Sequence, residues 1–199
     1  MLTIYGDVIS GNCYKVKLIA ELTGRAYDWR HVDVVAGETR TSEFLALNPN
    51  GKIPLIVLEN GERLAESNAI LHFLAEGSDY LPAAPLARAK VLQWLFFEQY
   101  SHEPAIAVAR YIIRYLKRPP EMAARLAATV DAGHKALKVM ETQLAKTPFL
   151  TGETFTIADI ALFAYTHVAH EGDFDLTPYP AIEGWLGRVK AQPGFVPMG

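Results

Sequence analysis

Between Asn48 and Leu74 the local pattern of the chain changes four times. Asn48-Pro49-Asn50-Gly51 is turn-forming. Ile53-Pro54 then opens an apolar run from Leu55 to Leu58. Asn60-Gly61 predicts a tight hairpin turn with positive φ at both central residues. A second short strand ends at Glu66-Ser67, and a helical pattern begins there at once. Strand, hairpin and helix therefore meet with a proline at one end and an acid-hydroxyl pair at the other. The rest of the chain has to be built around that meeting point.

The residues before it read as a strand over Leu2 to Tyr5, a turn-rich loop from Gly6 to Asn12, and a helix from Cys13 to Leu22. Val16, Ile19 and Ala20 give that helix its period, and Gly24 is placed to cap it. Tyr27 to Val35 alternates and predicts a second strand; Thr41 to Leu47 is a short helical piece. With the hairpin and a helix over Asn68 to Ala75, residues 1–78 follow a βαβ-α-ββα order. Residues 79–86 fall in a linker by composition, and residues 87–199 read as helical throughout. Leu86 to Leu116 is one long amphipathic stretch that Pro104 should kink. Leu126, Val130, Gly133, Leu137, Met140 and Leu144 form a helical stripe. Thr156 and Asp159 read as a capping box, with Phe155 and Ile160 as its hydrophobic staple. That helix should run to about Ala169, and Ala181 to Ala191 should be the last one.

Composition narrows the classes. Half of the 199 residues are apolar and the net charge is −3, as expected of an ordinary globular protein without the basic face that nucleic acid or an anionic membrane surface requires. No apolar run approaches the length of a membrane span, and the N-terminus enters a strand pattern without a leader. A reducing, cytoplasmic location is the default expectation. Cys13 is the one cysteine, which removes a disulfide framework and a thiolate-rich metal site. His167 and His170 share a helical spacing without further ligands nearby, so no metal is expected.

Three short segments could carry chemistry. If the Ile53-Pro54 peptide is cis, the Ile53 backbone is left open at a strand edge, where an extended peptide could pair; a trans proline at a strand start is the plainer reading. Glu66-Ser67 stands at a helix N-terminus. Ser67 can be an ordinary cap, or the pair can hold an α-amino acid head, the amine on Glu66 and the carboxylate on Ser67 and the helix end. Ser10-Gly11-Asn12-Cys13 has Cys-x-x-Cys spacing with Ser in the first place, so two-thiol exchange is not available. A hydroxyl and an amide at a helix N-terminus could instead donate to a bound thiolate, or serve only as caps beside a small buried cysteine.

Taken together, Ser10-Gly-Asn-Cys-Tyr-Lys-Val, Asn48-Pro-Asn-Gly-Lys-Ile-Pro, Glu66-Ser-Asn-Ala-Ile and Phe155-Thr-Ile-Ala-Asp-Ile-Ala-Leu-Phe resemble the cytosolic glutathione transferase family over essentially the whole chain. The resemblance implies an α/β thioredoxin-like N-terminal domain with a four-stranded mixed sheet, an all-α helical-bundle C-terminal domain, and a homodimer. It implies a cis bond before Pro54. Glu66 and Ser67 would take the γ-glutamyl head, Ile53 the cysteinyl backbone, and Lys52 and Arg40 the glycine carboxylate. The thiol end is similar to the serine-type classes, theta and delta among them, with Ser10 as first choice to meet the thiolate and Asn12 as second. Glutathione would be the co-substrate, with no other cofactor. The implied reaction is attack of its thiolate on a hydrophobic electrophile, with His102, Ile106, Arg110 and Tyr111 expected at the electrophile pocket. Isomerisation, dehalogenation, ether cleavage, disulfide reduction, or ligand binding without catalysis are the alternatives on the same site.

Overall fold

The computed structural model describes all 199 residues and divides into two compact units. The first comprises Met1–Ser78 and Pro193–Gly199, the second Asp79–Gln192. The last seven residues thus belong with the first unit and not with the helical part. The Tyr14 hydroxyl donates to the Val196 carbonyl at 2.8 Å and helps fasten them there.

In the first unit β1 (Leu2–Gly6) pairs in parallel with β2 (Tyr27–His31) and antiparallel with β3 (Leu55–Val57), which pairs antiparallel with β4 (Arg63–Ala65). The order β2-β1-β3-β4 makes a mixed sheet. The helices α1 (Gly11–Leu22), α2 (Ser42–Leu47) and α3 (Ser67–Ala75) complete the unit. Ile4, Val16, Ile19, Ile56, Ile70 and Leu74 form its core, each at most 1% exposed. Gly6 is needed where β1 ends against α1: a Cβ there would lie 2.9 Å from Cys13 Sγ. The C-terminus of α1 is closed by a Schellman pair, Arg25 N to Ala20 O and Gly24 N to Glu21 O, with Gly24 at φ +64°.

Two local expectations are corrected. β2 stops at His31 and not at Val35, because the Asp33 carboxylate accepts from Val35 N and Ala36 N and turns the chain away from the sheet. In the hairpin only Gly61 has positive φ. Gly61 N bonds Leu58 O and Leu58 N bonds Glu62 O, so the loop has three residues, Glu59 to Gly61, with the glycine in the left-handed position.

The second unit runs α4 (Pro85–Phe97), a π-helical turn (Glu98–His102), α5 (Glu103–Arg110), a second π-helical turn (Tyr111–Tyr115), α6 (Ala123–Leu144), α7 (Ile157–Thr166) and α8 (Pro180–Lys190). Pro104 lacks the N–H that an α-turn would use, and the first wide turn precedes it: Glu103 N reaches back to Glu98 O. On α6 Gly133, Leu137, Met140 and Leu144 of the expected stripe are buried and Leu126 is half-buried, so the stripe departs from expectation at one position. Val130 is 45% exposed while Thr129 and Ala136 are buried, and Gly133 makes room for the Phe174 ring. α7 is buried along its whole length and ends at Thr166, short of Ala169. Its capping box is present, and the Asp159 carboxylate also accepts from Leu150 N and Trp185 Nε1, each at 2.9 Å. No helix is long and apolar enough to cross a membrane.

Candidate active site

In the first unit the N-terminal ends of α1 and α3 are drawn together. Ser10 is the N-cap of α1, its Oγ accepting from Cys13 N at 3.4 Å. A hydroxyl that accepts still has its own proton to give. Asn12 stands in the first turn, and its Oδ1 accepts from Ser67 Oγ at 3.1 Å. Ser67 is not the cap of α3, as its sequence position suggested. The cap position is taken by Glu66, at φ +68° and ψ +112°, with an exposed side chain that makes no capping bond. Ser67 is the first helical residue, buried, and bonded toward α1.

Sequence reasoning missed Lys15. It lies fully buried on α1, with Nζ 3.3 Å from Ser67 Oγ and 3.5 Å from Asn68 Oδ1. A lysine on an otherwise apolar helical face reads as an outward-turned residue; only the tertiary placement of Ser67 shows that it points inward.

The Ile53-Pro54 peptide is cis. Ile53 is half-buried just before β3, and no backbone hydrogen bond within the sheet or its turns occupies it. The turn before it is held by Asn48, whose Nδ2 donates to Lys52 O at 2.7 Å. Gly51, at φ +60°, brings that turn against Arg40: a Cβ at Gly51 would be 2.7 Å from Arg40 Nη1. Arg40 and the residue next to Lys52 are therefore neighbours, both cationic side chains being exposed. This unit thus offers two exposed cations, an open peptide backbone before β3, a paired hydroxyl and amide, and a carboxylate at the start of α3.

Cys13 does not join them. It is fully buried, and burial pushes its thiol up to about 12, outweighing the hydrogen bond from Ser10. An inert thiol at this place means that any sulfur chemistry has to be brought by a ligand.

The residues expected at the electrophile pocket are for the most part interior. His102 is fully buried with Nε2 2.9 Å from Thr166 Oγ1, and Ile106 is fully buried near Gly133. Arg110 is 2% exposed, ion-paired with Glu171 at 2.7 Å, and its guanidinium carbon lies 5.8 Å from the centre of the Tyr115 ring. All three side chains are buried within the helical unit. Tyr111 alone of the four is open, 41% exposed and stacked on Tyr115.

Sequence models of two domains match: the glutathione S-transferase N-terminal domain over residues 9–76 and the C-terminal domain over residues 123–188. The chain belongs to the glutathione S-transferase family. It is 32% identical to glutathione S-transferase 3 of Zea mays, over 98% of this chain and 91% of that protein. It is 31% identical to the disulfide-bond oxidoreductase YfcG of Escherichia coli K12, over 92% and 87% respectively. A crystal structure of a glutathione S-transferase from Pseudomonas fluorescens Pf-5 superposes with a TM-score of 0.97 at 57% identity, covering 99% of this chain and 98% of that one. The four-stranded sheet with its helices is the thioredoxin-like domain of this family, and the helical unit is its C-terminal domain.

Proposed function

We propose that this transferase binds glutathione along the edge of its first unit and activates the thiol as a thiolate for attack on a hydrophobic electrophile. The observation that carries the reading is the Ser67–Asn12 bond, which brings two helix N-termini to one place. Such ends present unpaired N–H groups and partial positive charge, and they favour an anion. The α1 end, with the Ser10 hydroxyl and the Asn12 amide, suits the thiolate. The α3 end suits the γ-glutamyl carboxylate, with Glu66 for the amine. Ile53 N–H and C=O match the two polar groups of a cysteinyl unit, as in strand addition. Arg40 and Lys52 suit the glycine carboxylate.

In the reaction the thiol loses its proton to solvent, the sulfur bonds to the electrophilic carbon, and the leaving group departs with the bonding pair. Ser10 donates a hydrogen bond to the thiolate and is not the nucleophile. The class is serine-type on this reading, the working unit is a homodimer, and no cofactor beyond glutathione takes part.

A second reading is disulfide reduction, favoured by the similarity to the Escherichia coli oxidoreductase. There the thiolate attacks a disulfide sulfur, giving a glutathionyl mixed disulfide and releasing one thiol; a second glutathione then reduces the mixed disulfide. With Cys13 buried, glutathione must supply both electrons. Turnover of a chlorinated aromatic compound and of a glutathionyl mixed disulfide, measured side by side with glutathione, separates the two. Faster turnover of the disulfide replaces the conjugation reading with the second.

A further inference from the structure

The direction of the hydrogen bonds at Lys15 carries a consequence for the sulfur site. An ammonium has three donors and no acceptor. At 3.3 Å from Lys15 Nζ, Ser67 Oγ must accept, and its single proton is directed to Asn12 Oδ1 at 3.1 Å. The chain Lys15 to Ser67 to Asn12 therefore has one polarity. It holds the amide oxygen of Asn12 toward Ser67, and since the amide is planar its Nδ2 donors occupy the opposite branch. We infer that Lys15 is a positioning residue: acting through Ser67, it decides that Asn12 presents N–H and not C=O to the glutathione sulfur. Reversed, the amide would set an oxygen lone pair against the thiolate. The inference rests on the glutathione reading of the site.

The other charged groups around this relay are Asp7, on the loop before α1, and Glu66, beside Ser67. Asp7 and Lys15 both act electrostatically on Cys13, so a simple field effect of Lys15 is the competing account. A double-mutant cycle distinguishes the two. A field effect adds to the loss of Asn12; an effect transmitted through Asn12 disappears with it.

The test is a titration of bound glutathione, following the ultraviolet absorbance of its thiolate, in the wild-type chain and in Lys15→Met, Lys15→Arg, Asn12→Ala and the Lys15→Met/Asn12→Ala pair. Lys15→Met is expected to raise the thiol pKa by about one unit, roughly tenfold less thiolate below that pKa. Lys15→Arg, which keeps a donor, should stay near wild type. In the Asn12→Ala background, Lys15→Met should add no further shift. If Lys15→Met does not fold, Ser67→Ala replaces it in the cycle, because it cuts the relay while leaving the lysine. An additive shift, or a Lys15→Met protein with wild-type thiol pKa, overturns the inference while the glutathione reading stands. A wild-type chain that retains no glutathione in equilibrium dialysis overturns both.

Discussion

Ser10 Oγ accepts from Cys13 N at 3.4 Å, so the hydroxyl assigned to the thiolate is also the cap of α1. The two roles use different parts of the group, the lone pair for the cap and the proton for the sulfur. They can therefore be separated by substitution. Ser10→Ala loses both, and should cost about 1 kcal/mol of stability and raise the bound thiol pKa by about one unit. Ser10→Asp keeps an acceptor for Cys13 N, so thermal stability should return to near wild type. Its charge opposes a thiolate, and conjugation should fall below the Ser10→Ala level. Melting temperature and kcat/KM measured on the same preparations check this. If Ser10→Asp regains activity with stability, the hydroxyl is only a cap.

Glu66 sits at φ +68° and ψ +112°, a region that costs a side-chain-bearing residue about 1–3 kcal/mol. Its carbonyl accepts from Ile70 N at 2.9 Å, a bond glycine would keep, while its side chain is exposed and makes no capping bond that offsets the cost. Glu66→Gly should therefore match or exceed wild-type thermal stability. The same change removes the carboxylate proposed for the γ-glutamyl amine and should raise the KM for glutathione at least about tenfold, the loss of one charge-assisted bond. Glu66→Gln, which keeps the shape and one acceptor, should fall between. An unchanged KM in Glu66→Gly removes this residue from the site.

Gly51 lies where the turn before Ile53 touches the 3-10 turn Glu38–Arg40. Alanine there would suffer twice. Its φ of +60° disfavours a Cβ by about 1–2 kcal/mol, and the Cβ would stand 2.7 Å from Arg40 Nη1 and 3.0 Å from the Thr39 carbonyl. The guanidinium can swing aside; the backbone carbonyl cannot do so cheaply. Gly51→Ala should lower the melting temperature and displace Arg40, with a several-fold rise in the glutathione KM and little change in kcat. A KM that stays at wild type while the melting temperature falls would leave Gly51 a purely structural residue.

Local chemistry carried the sequence reading a long way, because caps and turns depend on near neighbours. Thr156 and Asp159 box the start of α7 from three residues apart, and Gly24 closes α1 from one residue beyond its cap. The motifs assigned Ser10, Asn12 and Ser67 to one ligand, but the hydrogen bond from Ser67 to Asn12 was not legible in them. What stayed hidden depends on long-range packing. Lys15 is directed inward by a serine 52 positions away. His102 and Arg110, expected at the pocket from the resemblance, bond to Thr166 and Glu171, more than 60 positions further along. The π-helical turns around α5 change which face each residue presents, and periodicity based on 3.6 residues cannot register that.

The two ends of α7 carry buried titratable groups with opposite effects on stability. At the start, Asp159 is held up to about 6, burial outweighing the N–H donors that favour its charge. Folding therefore takes up a proton there between about pH 4 and 6, and stability from this group is lost as pH rises through that window. At the end, His167 is stacked on Phe163 and burial lowers it to about 4. The unfolded chain binds that proton more readily, so stability from this group is lost as pH falls from about 6.5 to 4. Each contribution is of order 3 kcal/mol over its window, and the windows overlap. The wild-type melting temperature should thus vary little between pH 4.5 and 6.5. His167→Phe keeps the ring stacking and removes one arm; its melting temperature should rise as pH is lowered from 6.5 to 4.5, showing Asp159 unopposed. Asp159→Asn should be less stable at every pH, since Leu150 N, Thr156 N and Trp185 Nε1 then face an amide with one acceptor atom. Its melting temperature should also fall with decreasing pH, the signature of His167 alone. Melting curves of the three proteins across this range decide the matter. A His167→Phe profile parallel to wild type would show that His167 does not oppose Asp159.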